Sequence, residues 1–330
     1  MTKKIVDRFV NKIERTSIVL KAFFIIVPYN LFYKSIMNFT FPIRMKYHKY
    51  LKNYLSINSN EERELEIKID DLNLEEVIFA CYFINQQNPQ TGEQLNKADY
   101  GFIAPWYESV LQLGLDGIII HDGLDDSFIK KYETKKIQFR KFKSGNNNVL
   151  DERWLFYYHF LLKTSIKRAF LTDISDVFIT DNPFIKFNKK QVLYIGRDNG
   201  NKIRHSDWII KELNHFFKLI GKKPPKSLLY QSFYNVGVVG GDREVLLYSL
   251  SKFSKYFLKA DSSKYHEMTI FNLIVNRSFP TKLCFSLDES KIVNPKNDEA
   301  ATGKYVFSGY PLNSDFKAFD FNSKALFIHK

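Results

Sequence analysis

The stretch RAFLTDISDVFITDNPF, residues Arg168–Phe184, decides the fold. It opens with a short apolar run, Ala169–Thr172, that has the composition of a buried strand. This run leads directly into Asp173 and Asp176. Ligands of open α/β sheets bind at the carboxyl ends of the strands, and two carboxylates placed there can share one hard divalent cation. The alternative is an ordinary turn, in which Asp side chains bond to their own backbone.

The same pattern recurs along the rest of the chain. Short apolar runs predict further strands at Val77–Phe83, Gly117–His121 and Lys136–Phe142. Capping residues and helical spacing predict helices from Pro105 to Leu113, from Asp151 as N-cap to Lys163, and over about 242–258 and 264–276. Strands that alternate with helices indicate an α/β fold, with a mixed, mostly parallel sheet flanked by helices.

The composition is that of a globular protein. The chain has 330 residues, of which 45% are hydrophobic and 26% are charged. These values exclude a wholly disordered chain, a collagen and a disulfide-stapled miniprotein. Cys81 and Cys284 are too few for a disulfide framework or a cysteine-built zinc site. We therefore expect a cytoplasmic protein, either free or peripheral to the membrane.

The net charge of +13 is concentrated at the start of the chain, where residues 1–50 hold ten Lys or Arg and two acids. This bias reflects either amino-acid usage alone or a basic face for an anionic membrane or nucleic acid. Lys21, Pro28 and Asn30 interrupt the best apolar stretch, which is too short for a membrane span. We predict that residues 1–68 are a basic, aromatic-rich helical segment and linker. Its first 50 residues either contact the membrane surface or pack on the main domain.

The segment LTDISDVFITDNPF resembles the metal-binding segment of GT-A-type glycosyltransferases. In that family an apolar strand is followed by Asp-x-Asp, an apolar pair and a short Asp-Pro element. This chain has Asp-x-x-Asp instead, a spacing similar to that of the glycosyltransferase domain of collagen lysyl hydroxylases. The extra residue leaves open which oxygen binds the metal and which binds the ribose. The resemblance covers roughly residues 75–330 and implies a GT-A (Rossmann-like) domain at 69–330.

Three further segments extend this resemblance. FYNVGVVGG at Phe233–Gly241 is similar to a segment in which a strand and a tight glycine turn let the backbone approach the donor sugar. HEMTIFN at His266–Asn272 is similar to a helix start that places polar groups near the reacting carbon. The chain ends in ALFIHK, and many GT-A enzymes place a His on a late strand as the third protein ligand of the metal.

The resemblance implies a role for each matching residue. The metal, Mn²⁺ or Mg²⁺, would be held by Asp173, Asp176 and His329. The catalytic residues would be Glu267 and Asn235. The donor would be bound by Asp173, Arg153, Gly237, Gly240, Gly241 and Lys330. Met268 stands where some retaining relatives carry a Glu nucleophile, so a covalent route through that position is unsupported.

The implied function is metal-dependent transfer of a hexose from a nucleotide-sugar donor, typically a UDP-sugar, to a glycan or lipid-linked glycan acceptor. One alternative is a haloacid-dehalogenase-like phosphatase, although Ser175 occupies the place of its general-acid Asp. Another is a catalytically inactive protein that binds a sugar nucleotide or a nucleic acid. Nucleic acid is not an expected partner, because the sequence has no RNP-like run, zinc-ligand spacing or heptad-bearing basic region.

Overall fold

The computed structural model describes residues 74–88, 92, 94–95, 97–142, 148–188, 190, 192–257, 266–278 and 326–329. The predicted N-terminal segment 1–68, Cys284 and Lys330 lie outside these residues. Within them, no helix combines the length and the apolar character needed to cross a membrane.

Strands and helices alternate through the described part of the chain. The strands are β1 (Glu76–Tyr82), β2 (Gly117–His121), β3 (Ile137–Lys141), β4 (Arg168–Thr172), β5 (Val177–Ile179), β6 (Leu193–Lys202), β7 (Ser232–Asp242) and β8 (Phe327–His329). The helices are α1 (Tyr100–Gln112), α2 (Asp126–Tyr132), α3 (Val149–Lys163), α4 (Pro183–Lys186), α5 (Asp207–Leu219), α6 (Arg243–Phe257) and α7 (Glu267–Ser278). Short 3₁₀-helices at Ile203–His205 and Lys226–Tyr230 flank α5.

Six strands form one sheet in the order β3-β2-β1-β4-β7-β6. Strands β1 to β4 are mutually parallel, and β7 runs antiparallel to both β4 and β6. Five of the six strands therefore point the same way, which confirms the predicted mixed, mostly parallel α/β sheet. Strands β5 and β8 form a separate antiparallel pair, in which Val177 lies opposite His329.

The core is apolar on both faces of the sheet, as expected when helices cover a parallel sheet. All five residues of β2 are buried, including His121. On one side α3, α6 and α7 pack through aromatic rings: the ring centroids of Trp154 and Phe253 are 5.1 Å apart, and those of Phe253 and Phe271 are 5.5 Å apart. This packing fixes the start of α7 against the start of α3.

Two helices begin earlier than the sequence patterns indicate. The side chain of Asp99 caps α1 by accepting from the backbone N–H of Gly101, so Pro105 lies inside this helix and not at its start. The side chain of Asn148 caps α3 by accepting from the N–H of Asp151 at 3.0 Å. The prediction that Asp151 is the N-cap is therefore wrong, and Asp151 is instead a buried residue of the first turn.

The glycine-rich segment Phe233–Gly241 also differs from expectation. It lies within β7, which continues from Ser232 to Asp242 and pairs with β4 and β6 through Gly240 and Gly241. The expected tight glycine turn is thus replaced by a continuous strand, because neighbours on both sides satisfy its backbone groups.

A buried hydroxyl that joins α1 to the sheet provides the first prediction. The indole N–H of Trp106 donates to Thr172 Oγ1 at 2.7 Å, and this hydroxyl donates to the carbonyl of Phe79 at 2.9 Å. In Thr172→Val the Trp106 N–H loses its acceptor, so we expect the free energy of unfolding to fall by about 1–3 kcal/mol. Urea denaturation measures this change.

Thr164→Val is the matched control. Thr164 Oγ1 donates to the carbonyl of Phe160, which also accepts from the backbone N–H of Thr164. The same chemical change therefore leaves no buried group without a partner, and we expect a smaller loss. Equal losses of unfolding free energy in the two variants would show that the Trp106–Thr172 hydrogen bond does not contribute to stability.

Candidate metal centre

Three side chains that were predicted to bind a metal meet at the carboxyl end of β4. Asp173 follows β4 directly, Asp176 immediately precedes β5, and His329 ends β8. The β5–β8 pairing places His329 opposite Val177 and therefore beside Asp176. Asp173 is fixed from the other side, because its backbone N–H donates to the carbonyl of Gly237 at 3.0 Å.

The three groups are close enough to share one ion. His329 Nε2 lies 3.5 Å from Asp173 Oδ2 and 3.4 Å from Asp176 Oδ2. One ligand atom from each residue lies within 4.8 Å of the other two. The imidazole is buried, whereas the two carboxylates keep about a quarter of their side-chain surface exposed. An ion could therefore reach the cluster from solvent through the carboxylates.

The donor set fits a hard divalent cation. Carboxylate oxygens suit both Mn²⁺ and Mg²⁺. The imidazole nitrogen is better suited to Mn²⁺ than to Mg²⁺, which prefers oxygen ligands. Ligand distances of about 2.1 Å place neighbouring ligands of an octahedron roughly 3 Å apart, close to the separations seen here. In addition, Asp176 Oδ1 and His329 Nδ1 are buried without a hydrogen-bond partner among the described residues. Such orphaned polar atoms call for an ion or a water.

Without an ion, the cluster is held together by charge. Burial alone lowers the pKa of His329, but the neighbouring carboxylates of Asp176 and Asp173 outweigh it and raise this pKa to about 10. Burial raises the pKa of Asp173, but the Arg153 guanidinium and then His329 hold it well below its usual range. At neutral pH the imidazole is therefore protonated and ion-paired, and an ion must displace that proton.

A glycine makes room for the imidazole. A Cβ atom on Gly237 would lie 2.0 Å from Cε1, 2.4 Å from Nε2 and 2.6 Å from Nδ1 of His329. No side chain fits at these distances, so His329 can occupy this position only because residue 237 is a glycine. The side chain of Asn235 holds the same part of β7, since its Oδ1 accepts from the N–H of Gly237 at 2.6 Å.

Arg153 connects the metal cluster to the predicted catalytic Glu267. Its Nη1 donates to Asp173 Oδ1, and its Nε donates to Glu267 Oε1 at 2.6 Å. The indole N–H of Trp154 donates to the same Glu267 oxygen. Glu267 is 1% exposed, and burial raises its pKa despite the nearby Arg153. Arg153 and Glu267 were predicted as separate site residues, and the structure joins them in one buried network.

Sequence reasoning missed Trp154, which belongs to this network, and Asp151, whose charge acts on it. Trp154 was not among the predicted site residues, yet its indole N–H donates to Glu267. Asp151 is 3% exposed, and its Oδ2 accepts from Asn148 at 2.6 Å. Burial, followed by the charge of Glu267, raises the pKa of Asp151 well above its usual range. The signal available in the sequence was the run Asp151–Trp154, in which three charged residues stand at the start of an aromatic-rich helix.

Two other predicted site residues have clear packing roles. A Cβ on Gly240 would lie 2.1 Å from the ring of Phe170, and one on Gly241 would lie 2.7 Å from the carbonyl oxygen of Val192. The two glycines pair with Ala169 and Phe170 of β4, away from the end that carries Asp173. Their predicted contact with a donor is not needed to explain why they are glycines.

Comparisons with known proteins give a remote likeness. No protein-family model matches the chain, and no curated protein matches it. Among solved structures, it is similar to a galactosyltransferase, LgtC, crystallised with donor and acceptor sugar analogues. The two share 11% sequence identity over 60% of this chain and 69% of that chain, with a TM-score of 0.36. At these values the assignment of function depends on the site itself.

The close approach of Gly237 to His329 leads to the second prediction. In Gly237→Ala the imidazole must move away, so we expect Mn²⁺ affinity, measured by calorimetry, to fall by about 10–100-fold. Gly101→Ala is the control, because its Cβ would lie no closer than 3.4 Å to Asp99. Unchanged Mn²⁺ affinity in a folded Gly237→Ala variant would contradict the assignment of His329 as a ligand.

The third prediction follows from the raised pKa of His329. Because this pKa is about 10, below pH 10 an incoming ion must release a proton from the imidazole. Affinity should thus increase as pH rises towards 10, and near pH 8 each bound ion should release about one proton. Calorimetry in two buffers of different ionisation enthalpy measures this release. His329→Gln should abolish it, and a heat independent of the buffer in the unaltered protein would exclude displacement of the proton.

Proposed function

We propose that the protein is a metal-dependent glycosyltransferase, a hexosyltransferase that uses a nucleotide-sugar donor, with a UDP-sugar as the first candidate. The acceptor is a glycan or a lipid-linked glycan. The observation that carries this proposal is the convergence of Asp173, Asp176 and His329 at the carboxyl end of a parallel strand. Ligands bind at this edge in α/β sheets.

The reaction requires charge stabilisation on the departing group. The bond between the anomeric carbon and the diphosphate oxygen breaks, and its electron pair leaves with the diphosphate. The acceptor hydroxyl forms the new bond to the same carbon and loses its proton. A divalent ion held by Asp173, Asp176 and His329 would stabilise the negative charge on the departing diphosphate.

The protein's own residues prepare this site. Arg153 holds Asp173 through one nitrogen and Glu267 through another, so we assign it a positioning role towards the donor. Asn235 fixes the backbone of Gly237, next to the imidazole. We retain Glu267 and Asn235 as the candidate catalytic residues. The donor contacts assigned to Gly240, Gly241 and Lys330 are not required by this proposal.

The choice of ion follows from the ligands. Two carboxylates and one imidazole provide hard and intermediate donors, and the metal cluster contains no thiolate that would favour a soft ion. We therefore propose Mn²⁺, with Mg²⁺ as the alternative. The peripheral membrane contact predicted for residues 1–50 stays a prediction.

The fourth prediction tests the function directly. In the presence of Mn²⁺ the protein should hydrolyse a UDP-sugar slowly to UDP and free sugar when no acceptor is added, and a screen of UDP-, GDP- and CMP-sugars identifies the donor. Asp176→Asn should lower this rate at least tenfold, because it removes one charged ligand. Coupled detection of the released nucleotide measures the rate.

Asp181→Asn is the matched control. Asp181 is an exposed acid of the same segment and pairs only loosely with Lys186, at 3.6 Å. Its substitution should leave donor hydrolysis unchanged. Hydrolysis of p-nitrophenyl phosphate in place of any nucleotide sugar would favour the phosphatase alternative, and binding of a nucleotide sugar without turnover would favour the inactive binding protein.

A further inference from the structure

The chain between β6 and β7 forms a surface of its own. We call residues 203–230 the β6–β7 excursion; it consists of the two 3₁₀-helices and α5. It leaves and rejoins the sheet where Lys202 pairs with Ser232. Because Val238 pairs with Thr172 at the end of β4, the earlier residues of β7 extend past that end. The excursion therefore lies at the same end of the sheet as Asp173, beyond the carboxyl end of β4.

The outer side of the excursion is strongly cationic. It exposes six cations: Arg204, Lys211, Lys218, Lys222, Lys223 and Lys226. Its one exposed acid is Asp207, and Glu212 is half-buried. Within the described ranges, none of the six cations forms an ion pair. Their charge is thus available to an anionic partner.

The same surface exposes large apolar side chains. Trp208 is 44% exposed, Leu219 is 41% exposed and Tyr230 is 60% exposed. These are three of the six exposed large hydrophobic residues in the described part of the chain. The guanidinium of Arg204 lies 5.0 Å from the ring centroid of Tyr230. Cations and apolar groups therefore alternate over one short region.

This exposure is not a consequence of loose packing. The apolar face of α5 is buried through Ile209, Leu213, Phe216 and Phe217. Trp208 and Leu219 are eleven positions apart, close to three turns of an α-helix, and so lie on the same side. The helix is held against the protein by one face and presents Trp208, Lys211, Lys218 and Leu219 on the other.

We propose that the outer side of the β6–β7 excursion binds the surface of an anionic lipid bilayer. Trp and Tyr are the aromatic residues typical of the bilayer interface, and Lys or Arg beside them pair with anionic head groups. A soluble polyanion would match the cations but offers nothing to the exposed aliphatic Leu219. The surface is also a helix face and not a groove, which suits a broad flat partner.

The excursion contacts the residue that precedes the candidate catalytic Glu267. His266, which directly precedes Glu267, lies 3.5 Å from Glu212 of α5 through its Nδ1. Its ring stacks on His215 of α5, with centroids 5.3 Å apart. A bilayer bound to the outer side of α5 would therefore be separated from the start of α7 by this one helix. Delivery of a lipid-linked acceptor from this bilayer to Glu267 rests on the proposed function. The bilayer contact itself does not.

The tryptophans of the protein allow a direct test, which is the fifth prediction. The sequence contains three; Trp106 and Trp154 are buried, at 0% and 1% exposure, and Trp208 is exposed. Residues 1–50 contain none, so a change of emission on binding reports on Trp208. We expect vesicles of phosphatidylcholine and phosphatidylglycerol to shift the emission of the full chain to the blue. Brominated lipids should quench it, and salt should reverse both effects.

A charge-matched pair of variants locates the contact. Lys211→Gln, Lys218→Gln and Lys222→Gln together should weaken vesicle binding at least tenfold, since each Lys near such a surface attracts anionic head groups. The control replaces Lys130, Lys131 and Lys135 by Gln. These residues lie beside β3, the edge strand on the other side of the sheet from β6. Equal effects of the two triple variants would overturn the proposal.

Two further outcomes would also overturn it. One is vesicle binding with no change in Trp208 emission, which would assign the contact to another part of the chain. The other is a response of Trp208 to heparin but not to vesicles, which would indicate a soluble polyanion. Donor hydrolysis is measured on the same protein preparations before lipid is added. This measurement separates a failure of the bilayer contact from a failure of the proposed function.

Discussion

The pairing of the buried Arg153 guanidinium with Asp173 and Glu267 is the interaction on which the whole site depends. Burial alone lowers its pKa, yet the charges of Asp173 and Glu267 raise the pKa well above its usual range, so the group stays charged. The Glu267 carboxylate could not be buried without this cation, because an unpaired buried charge is very costly. The same guanidinium also pairs with Asp173, which is about a quarter exposed. Arg153 thereby sets the distance between the end of β4, the start of α3 and the start of α7.

Space is the second constraint, and β7 provides it. This strand passes the end of β4 with a glycine at the level of Asp173, and His329 fills the volume that a side chain would take. The cluster of Asp173, Asp176 and His329 therefore lies where three segments that are distant in sequence meet: the β4–β5 connection, β7 and β8. Only the antiparallel placement of β7 and the β5–β8 pair brings them together.

Local patterns in the sequence were enough to predict part of this arrangement. Apolar runs located β1, β2 and β4, because buried parallel strands need continuous hydrophobic side chains. The strand-to-acid pattern and the resemblance to GT-A enzymes identified Asp173, Asp176 and His329. The bond from Trp154 to Glu267 could not be predicted, because it depends on how α3 packs against α7. The helix starts were misplaced for a different reason: several residues before each helix could have served as its cap.

The small sheet that carries His329 has an additional consequence. Strands β5 and β8 have three residues each and pair only with one another in the described structure. Isolated two-stranded pairs are marginal, so β8 is also held by the buried ring of Phe327, which packs on Phe170, and by the charges around His329. An ion bound by Asp173, Asp176 and His329 would add to these contacts. Amide hydrogens of β5 and β8 would then exchange more slowly with the ion bound than without it.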